Sequence, residues 1–205
     1  MSSLPPPLIL ASTSRYRREL LSRLRLPFRV EAPGVDETPQ PGESPAALAR
    51  RLALEKARAV AVRHPGCVVI GSDQVADLGG QPLGKPGSHS RAVEQLRLMS
   101  GQRVVFQTAL AVVRHDIAHE CVDLAAVSVV FRPLNDREIE AYLRLDEPYD
   151  CAGSARSESL GVALLSAIDS DDPTALVGLP LIRTCAMLRA VGLDPLAPRA
   201  AIPSS

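Results

Sequence analysis

Cys67-Val68-Val69-Ile70-Gly71-Ser72-Asp73-Gln74 is the stretch that decides the fold class. The apolar run from Cys67 to Gly71 is short and β-branched, which reads as a buried strand, and it stops abruptly at Ser72-Asp73-Gln74. An acid that directly follows such a strand is expected to emerge at the strand end, where open sheets place their reacting groups. Downstream, Val75-Ala76-Asp77 and Gln81-Pro82-Leu83 flank Gly79-Gly80 and predict a hairpin that turns the chain back on itself.

The same strand-then-polar-turn pattern opens the chain. Leu8-Ile9-Leu10-Ala11 predicts a strand that stops at Ser12-Thr13-Ser14, and Ser14 is a candidate cap for a helix carrying Leu20, Leu21 and Leu24. Phe28-Arg29-Val30-Glu31 alternates as a second strand. A Pro/Gly-rich loop then leads to Ser44-Pro45, an N-cap and N1 pair for a long helix to about Val62. Further on, the pattern predicts a helix over Ser88–Met99, strands over Val104–Val113 and Glu120–Phe131, and a helix over Asn135–Leu143 with a capping box from Asn135 to Glu138. A small-residue loop from Cys151 precedes a strand over Val162–Ile168 and a closing helix over Leu179–Val191. Hairpins mixed with crossover helices predict an α/β fold on a mixed sheet, as one domain over 1–205 with its core at about 8–192 and frayed termini.

The 205 residues carry 23 basic and 23 acidic side chains, so no global field draws the chain to nucleic acid or membrane. At 3% aromatic, it lacks the stacking platforms of a single-strand binder. No run reaches the length of a membrane span, and the first residues lack a basic start followed by an apolar stretch, which leads us to expect a cytoplasmic protein. Cys67, Cys121, Cys151 and Cys185 have neither zinc-finger nor disulfide-framework spacing and are expected to be reduced and mostly buried. Only two lysines, Lys56 and Lys85, stand beside 21 arginines. Such a bias keeps lysine where a compact ammonium does what a planar guanidinium does not, such as meeting a phosphate as a point charge.

Candidate chemistry gathers around these positions. Ser12-Thr13-Ser14 ahead of a helix offers backbone N–H groups, hydroxyls and the positive end of the helix dipole, with Arg17 in the first turn, a combination suited to anions. Asp73 is either a turn-capping acid or one that binds a divalent metal or orients a water. Asp36-Glu37 offers a second carboxylate or a merely solvated pair. On its helix, either Glu55 or Lys56 must lie near the buried face, and the hairpin returns Lys85 toward Asp73. Ser12, Arg17, Glu37, Lys56, Asp73 and Lys85 together suggest a polyphosphate site, although the common nucleotide and hydrolase signatures, such as Gly-x-x-x-x-Gly-Lys-Ser/Thr and Gly-x-Ser-x-Gly, are absent.

From Leu8 to about Gly192 the chain resembles the Maf family of nucleotide pyrophosphatases. The resemblance is carried by Leu-Ile-Leu-Ala-Ser-Thr-Ser, Val35-Asp36-Glu37-Thr38, Ala53-Leu54-Glu55-Lys56-Ala57, Ile70-Gly71-Ser72-Asp73-Gln74-Val75, Leu83-Gly84-Lys85-Pro86, Leu98-Met99-Ser100-Gly101 and Val177-Gly178-Leu179-Pro180. It implies a two-lobed, inosine triphosphate pyrophosphatase-like fold around an elongated, twisted mixed β-sheet with flanking helices, and the active site in the cleft. It also implies hydrolysis of a nucleoside triphosphate to monophosphate and pyrophosphate with a divalent metal cation (Mg, Mn or Co), and by analogy a homodimer. In that reading Asp73 is the proton acceptor, Glu37 and Asp73 hold the metal, and Ser12, Arg17, Lys56 and Lys85 hold the phosphates.

Tyr16, Gln74 and Glu158 match the subgroup that hydrolyses 7-methyl-GTP, where the dTTP/UTP type has arginine, threonine and glutamine. Methylation makes guanine cationic, which suits an aromatic face and a carboxylate. The implied role is removal of modified nucleotides from the pool. The alternatives are a dTTP/UTP pyrophosphatase of the same family and a non-catalytic nucleotide-binding regulator of cell division. Arg15 stands where the family usually has proline, which is expected to change affinity more than activity.

Overall fold

The computed structural model describes residues 5–197. The expected fraying outside about 8–192 lies mostly beyond the described residues, since 1–4 and 198–205 are not among them. The strands β1 (Leu8–Ala11), β2 (Phe28–Glu31), β3 (Val68–Leu78), β4 (Gln81–Leu83), β5 (Arg103–Arg114), β6 (His119–Phe131) and β7 (Leu165–Asp169) form one seven-stranded sheet. Its order is β2-β1-β3-β5-β6-β7, with β4 beside β3. The pairs β1–β2 and β1–β3 are parallel and all others antiparallel, so the sheet is mixed, as expected. The helices are α1 (Arg15–Ser22), α2 (Pro45–Ala61), α3 (His89–Met99), α4 (Asp136–Asp146) and α5 (Leu181–Ala190).

Two lobes share the long strands. In the first, α2 covers one face of β1, β3 and β5, burying Leu48, Leu52, Ala57 and Val60 against Ile9, Val69 and Val113. On the opposite face, Leu20 and Leu21 of α1 and Leu188 of α5 pack on Leu8, Leu10, Ile70 and Leu110. Each large apolar side chain so covered contributes about 1.5–3 kcal/mol relative to exposure. In the second lobe, Leu96 and Met99 of α3 and Ile139 and Leu143 of α4 pack on Phe106, Val127, Val129 and Phe131.

Local chemistry sets the helix ends. The Ser44 hydroxyl accepts from Ala47 N at 3.3 Å ahead of Pro45, and Asn135 and Glu138 form the expected capping box. Gly79 and Gly80 both have positive φ, +61° and +92°, which the tight β3–β4 hairpin requires. Gly71 serves a different need: a Cβ there would stand 2.7 Å from Ala57 N and closer still to Ala53 O, so its absence lets α2 lie directly on β3.

Several expectations are corrected. The strand begun at Cys67 does not end before Asp73: β3 continues to Leu78, because β5 pairs with it from Val69 to Asp77. The strand expected over Val162–Ile168 is a 3₁₀ turn over Leu160–Leu164 followed by β7. There Gly161 packs on the Arg156 backbone and Leu164 O accepts from Arg132 N, so the chain curls before it pairs. The closing helix starts at Leu181 rather than Leu179, because Gly178 is left-handed at φ +118° and Pro180 serves as N-cap. The cysteines are free, but only Cys67 is buried. Cys121 is exposed near the start of β6, and Cys151 and Cys185 are half-buried, Cys151 in a cleft wall. No helix among the described residues is long and apolar enough to cross a membrane.

Candidate active site

The site forms where the parallel and antiparallel parts of the sheet part company. β1 pairs with β3 only as far as Ala11 and Gly71, and β4 takes up the same edge at Ala76. Among the described residues no strand pairs with Ser72–Val75 on that edge, and a cleft of about 360 Å³ opens there. Alternation along β3 sends Asp73 to the α2 face and Ser72 and Gln74 to the opposite face, so the cleft takes chemistry from both sides of the sheet.

On the α2 face, Lys56 falls on the buried stripe of its helix between Leu52 and Val60 and is only 4% exposed. Its Nζ lies 2.6 Å from Asp73 Oδ1 and 2.6 Å from Glu37 Oε1. Asp73 is 7% exposed and stands behind the lysine, whereas Glu37 reaches in from the Pro-rich loop and is half exposed. Burial pushes the Glu37 carboxyl up, but the hydrogen bond and charge of Lys56, aided by Lys85 and Arg17, hold it below the ordinary value. Glu55 points elsewhere, pairing with Arg51 at 3.1 Å. Arg51 also grips Glu43 at 2.7 Å and Thr38 O at 3.1 Å, which fixes the loop carrying Glu37 to α2.

On the opposite face, Ser72 donates to Ala109 O at 2.7 Å and to Gly178 O at 3.0 Å. Arg17 Nε donates to the same Gly178 carbonyl at 2.9 Å. Burial lowers the Arg17 guanidinium from its ordinary value, against the pull of Asp73 and Glu37. Gln74 Nε2 donates to Thr108 Oγ1, Ala175 O and Leu176 O at 2.9–3.0 Å, tying the 3₁₀ turn Pro173–Val177 to the sheet.

The third wall is the Ser12–Ser14 turn and α1. Ser12 Oγ accepts from Ser14 N at 3.1 Å and Ser14 Oγ caps Arg17 N at 3.4 Å, which fixes the turn, and this turn and the start of α1 line the cleft. Lys85, exposed after the β4 hairpin, completes the basic rim. At the far end stand Tyr16, Asp150, Cys151 and Glu158. Burial keeps the Tyr16 phenol above its usual range despite a hydrogen bond from Arg15, and it raises the Glu158 carboxyl against the charge of Arg156.

Ser12, Tyr16, Arg17, Glu37, Lys56, Gln74, Lys85 and Glu158 therefore share one cleft, with Asp73 directly behind Lys56. Sequence reasoning did not find Thr108, Asp150, Cys151, Arg156 or the carbonyls of Ala175 and Leu176. Thr108 sits within an apolar strand, and the others lie on loops brought in from far along the chain. The only available signal was the Val177-Gly178-Leu179-Pro180 block, which ends the turn that carries the carbonyls.

An α/β protein with cations and two carboxylates converging on a cleft at a sheet junction is built to bind a polyanion. The Maf-like protein model matches residues 7–191, and the chain belongs to that family. It is 70% identical over 187 residues to the 7-methyl-GTP pyrophosphatase of Polaromonas sp. (strain JS666), covering 91% of this chain and 85% of that protein. It is 65% identical to the protein of the same name from Albidiferax ferrireducens, over 91% of this chain and 94% of that one. With that of Bordetella pertussis the identity is 61%, over 96% and 98%. Among solved structures, the Staphylococcus aureus Ham1 protein matches at 18% identity and a TM-score of 0.45, over 61% of this chain and 71% of that one.

Proposed function

We propose that the chain is a nucleoside triphosphate pyrophosphatase that hydrolyses 7-methyl-GTP to 7-methyl-GMP and diphosphate, and so removes a modified nucleotide from the pool. The observation that carries this reading is the Lys56 ammonium held between Asp73 and Glu37 beneath a rim of Ser12, Arg17 and Lys85. Relatives at 61–70% identity that bear the name 7-methyl-GTP pyrophosphatase support the choice of base.

In this reading the triphosphate lies along the Ser12–Ser14 turn, held by the N–H groups of α1 and by Arg17, Lys56 and Lys85. Asp73 takes a proton from water as its oxygen bonds to the α-phosphorus; the α–β bridging P–O bond breaks and its electron pair leaves with diphosphate. Lys56 orients Asp73 and, with Arg17, offsets the charge gathering on the phosphate oxygens. Tyr16, Gln74 and Glu158 discriminate the base, the aromatic ring and the carboxylate favouring a cationic purine.

No group of three or more His, Cys, Asp or Glu side chains that could hold a metal occurs among the described residues. Two carboxylates that converge on one ammonium are nonetheless hard oxygen donors. Together they suit a divalent cation such as Mg²⁺, Mn²⁺ or Co²⁺, which would need substrate phosphates and water to complete its shell. Asp73 and Glu37 would hold it, and when bound it supplies neutralisation of phosphate charge.

The test is pyrophosphate release from 7-methyl-GTP, GTP, dTTP, UTP and CTP with each of the three metals, with Asp73→Ala as control. Preferential cleavage of 7-methyl-GTP that Asp73→Ala abolishes is expected. Preference for dTTP and UTP would move the chain to the other subgroup, and binding without turnover would make it a sensor of nucleotides rather than an enzyme.

A further inference from the structure

Gln74 enters the cleft from β3, and one end of its amide is already committed. Nε2 donates to Thr108 Oγ1 at 2.9 Å, to Ala175 O at 2.9 Å and to Leu176 O at 3.0 Å, so its two hydrogens are shared among three acceptors. Thr108 gives its own hydrogen to Ala175 O at 2.9 Å and meets Gln74 as an acceptor. Two of the three partners are carbonyl oxygens, which only accept, so the amide end that faces them is the nitrogen. The other end is Oε1. Among the described residues it accepts no hydrogen bond, and it is not sealed from solvent, so on a residue that lines the cleft it is open to the cleft. Gln74 therefore has no hydrogen left for a ligand and one oxygen, held in place, to present to it.

We propose that Gln74 reads the base of the substrate as an acceptor, Oε1 taking an N–H from the guanine edge that carries the ring N–H and the 2-amino group. Water satisfies the oxygen while the cleft is open. A base that binds against it expels that water. One with an N–H in place restores the bond, one without leaves the oxygen bare, and one with an oxygen there sets acceptor against acceptor. The cost falls only on bases that lack the donor, so it separates bases rather than weakening all of them alike. Because the turn Pro173–Val177 holds the nitrogen, the amide does not flip to offer N–H to a base that needs a donor, and the reading is one-sided. This inference rests on the proposed 7-methyl-GTP activity and names the chemical group through which Gln74 contributes to it.

The experiment is calorimetric titration of the full chain with 7-methyl-GMP, with 7-methyl-IMP, which lacks the 2-amino group, and with 1,7-dimethyl-GMP, which lacks the ring N–H. It is run on wild type, Gln74→Met and Thr108→Val, with dTMP and UMP as references. In wild type, the analogue without the donor that Oε1 takes is expected to bind about ten-fold more weakly than 7-methyl-GMP. In Gln74→Met that gap is expected to close to about two-fold or less, chiefly because 7-methyl-GMP binds less well. Thr108→Val loosens the same turn but leaves Nε2 its two carbonyls and Oε1 its place, and is expected to keep the gap. Equal binding of the three methylated nucleotides to wild type, or a gap that persists in Gln74→Met, would overturn the acceptor role. Loss of the gap in Thr108→Val would also overturn it, because the turn and not the oxygen would then discriminate. A wild type that prefers dTMP or UMP to 7-methyl-GMP would overturn the choice of base, and this inference with it.

Discussion

Lys56 reaches from α2 to within 2.6 Å of Asp73 Oδ1 on β3, with both side chains almost out of solvent. A buried carboxylate that loses its partner is left uncompensated, at a cost of about 3–5 kcal/mol. Lys56→Ala should therefore lower stability to urea by that order in the native background. In an Asp73→Asn background the same change should cost much less, because no buried charge is stranded on β3. Equal losses in the two backgrounds would mean that packing, not the ion pair, gives Lys56 its structural weight. Asp73→Asn itself should fold and fail to release pyrophosphate.

Gly71 lets α2 lie against β3, and Lys56 can meet Asp73 only at that separation. Gly71→Ala should cost about 1–3 kcal/mol by overpacking, and should reduce turnover as well, because pushing α2 outward draws the ammonium from the carboxylate. Gly84→Ala is the control. It adds a Cβ into open space at a residue without positive φ, and its stability to urea should change by no more than a neutral surface substitution does, about 0.5 kcal/mol.

The Arg51 clamp on the Glu37 loop makes an acid-sensitive joint. Hydrogen bonds from Arg51 and from Gln40 N hold the Glu43 carboxyl down at about 2, against an ordinary value of 4.5. A depressed carboxyl contributes stability that is present above its unfolded value and is lost as pH falls through the folded one. Denaturation followed over acid pH should show this contribution fading between about 4.5 and about 2. Glu43→Gln should flatten the curve in that window and leave it unchanged above; an identical acid slope in the variant would exclude the clamp as its source.

Gln74 presents an amide nitrogen to a hydroxyl and two carbonyls. Gln74→Glu replaces that donor with an acceptor-only group when ionised, so oxygen faces oxygen at the two carbonyls, and the Thr108 hydroxyl can donate to the new carboxylate only by leaving Ala175 O. A loss of about 1–3 kcal/mol at neutral pH is expected, largely recovered in acid when the new carboxyl takes up a proton. Thermal melts at two pH values check this, and a pH-independent loss would point to simple packing damage.

Local signals carried much of this architecture. Ser14, Ser44 and Asn135 cap helices as their spacing predicts, and Lys56 could be placed near a buried face because Leu52 and Val60 flank it at helical intervals. Asp73 was misread as a strand end because Ser72, Asp73 and Gln74 are polar. They are polar because Gln74 lines the cleft, Asp73 holds Lys56 from behind and Ser72 ties Gly178 to the sheet, and their strand conformation comes from β5, whose pairing is distant in sequence. The same holds for the far wall. Nothing near Cys151 tells that its loop closes over α1, and the block after Leu176 marks a turn without telling what it packs on, because these contacts join segments far apart in sequence.

The strand that carries Asp73 has a mechanical consequence. β3, β5 and β6 run unbroken through both lobes, with Asp73 near the middle of β3. The cleft therefore has no hinge loop across its floor, and opening it means flexing a continuous hydrogen-bonded ribbon. Bending is then spread along the whole ribbon, so Asp73, in its middle, keeps its place relative to its neighbours on β3 and β5 while the walls of the cleft move.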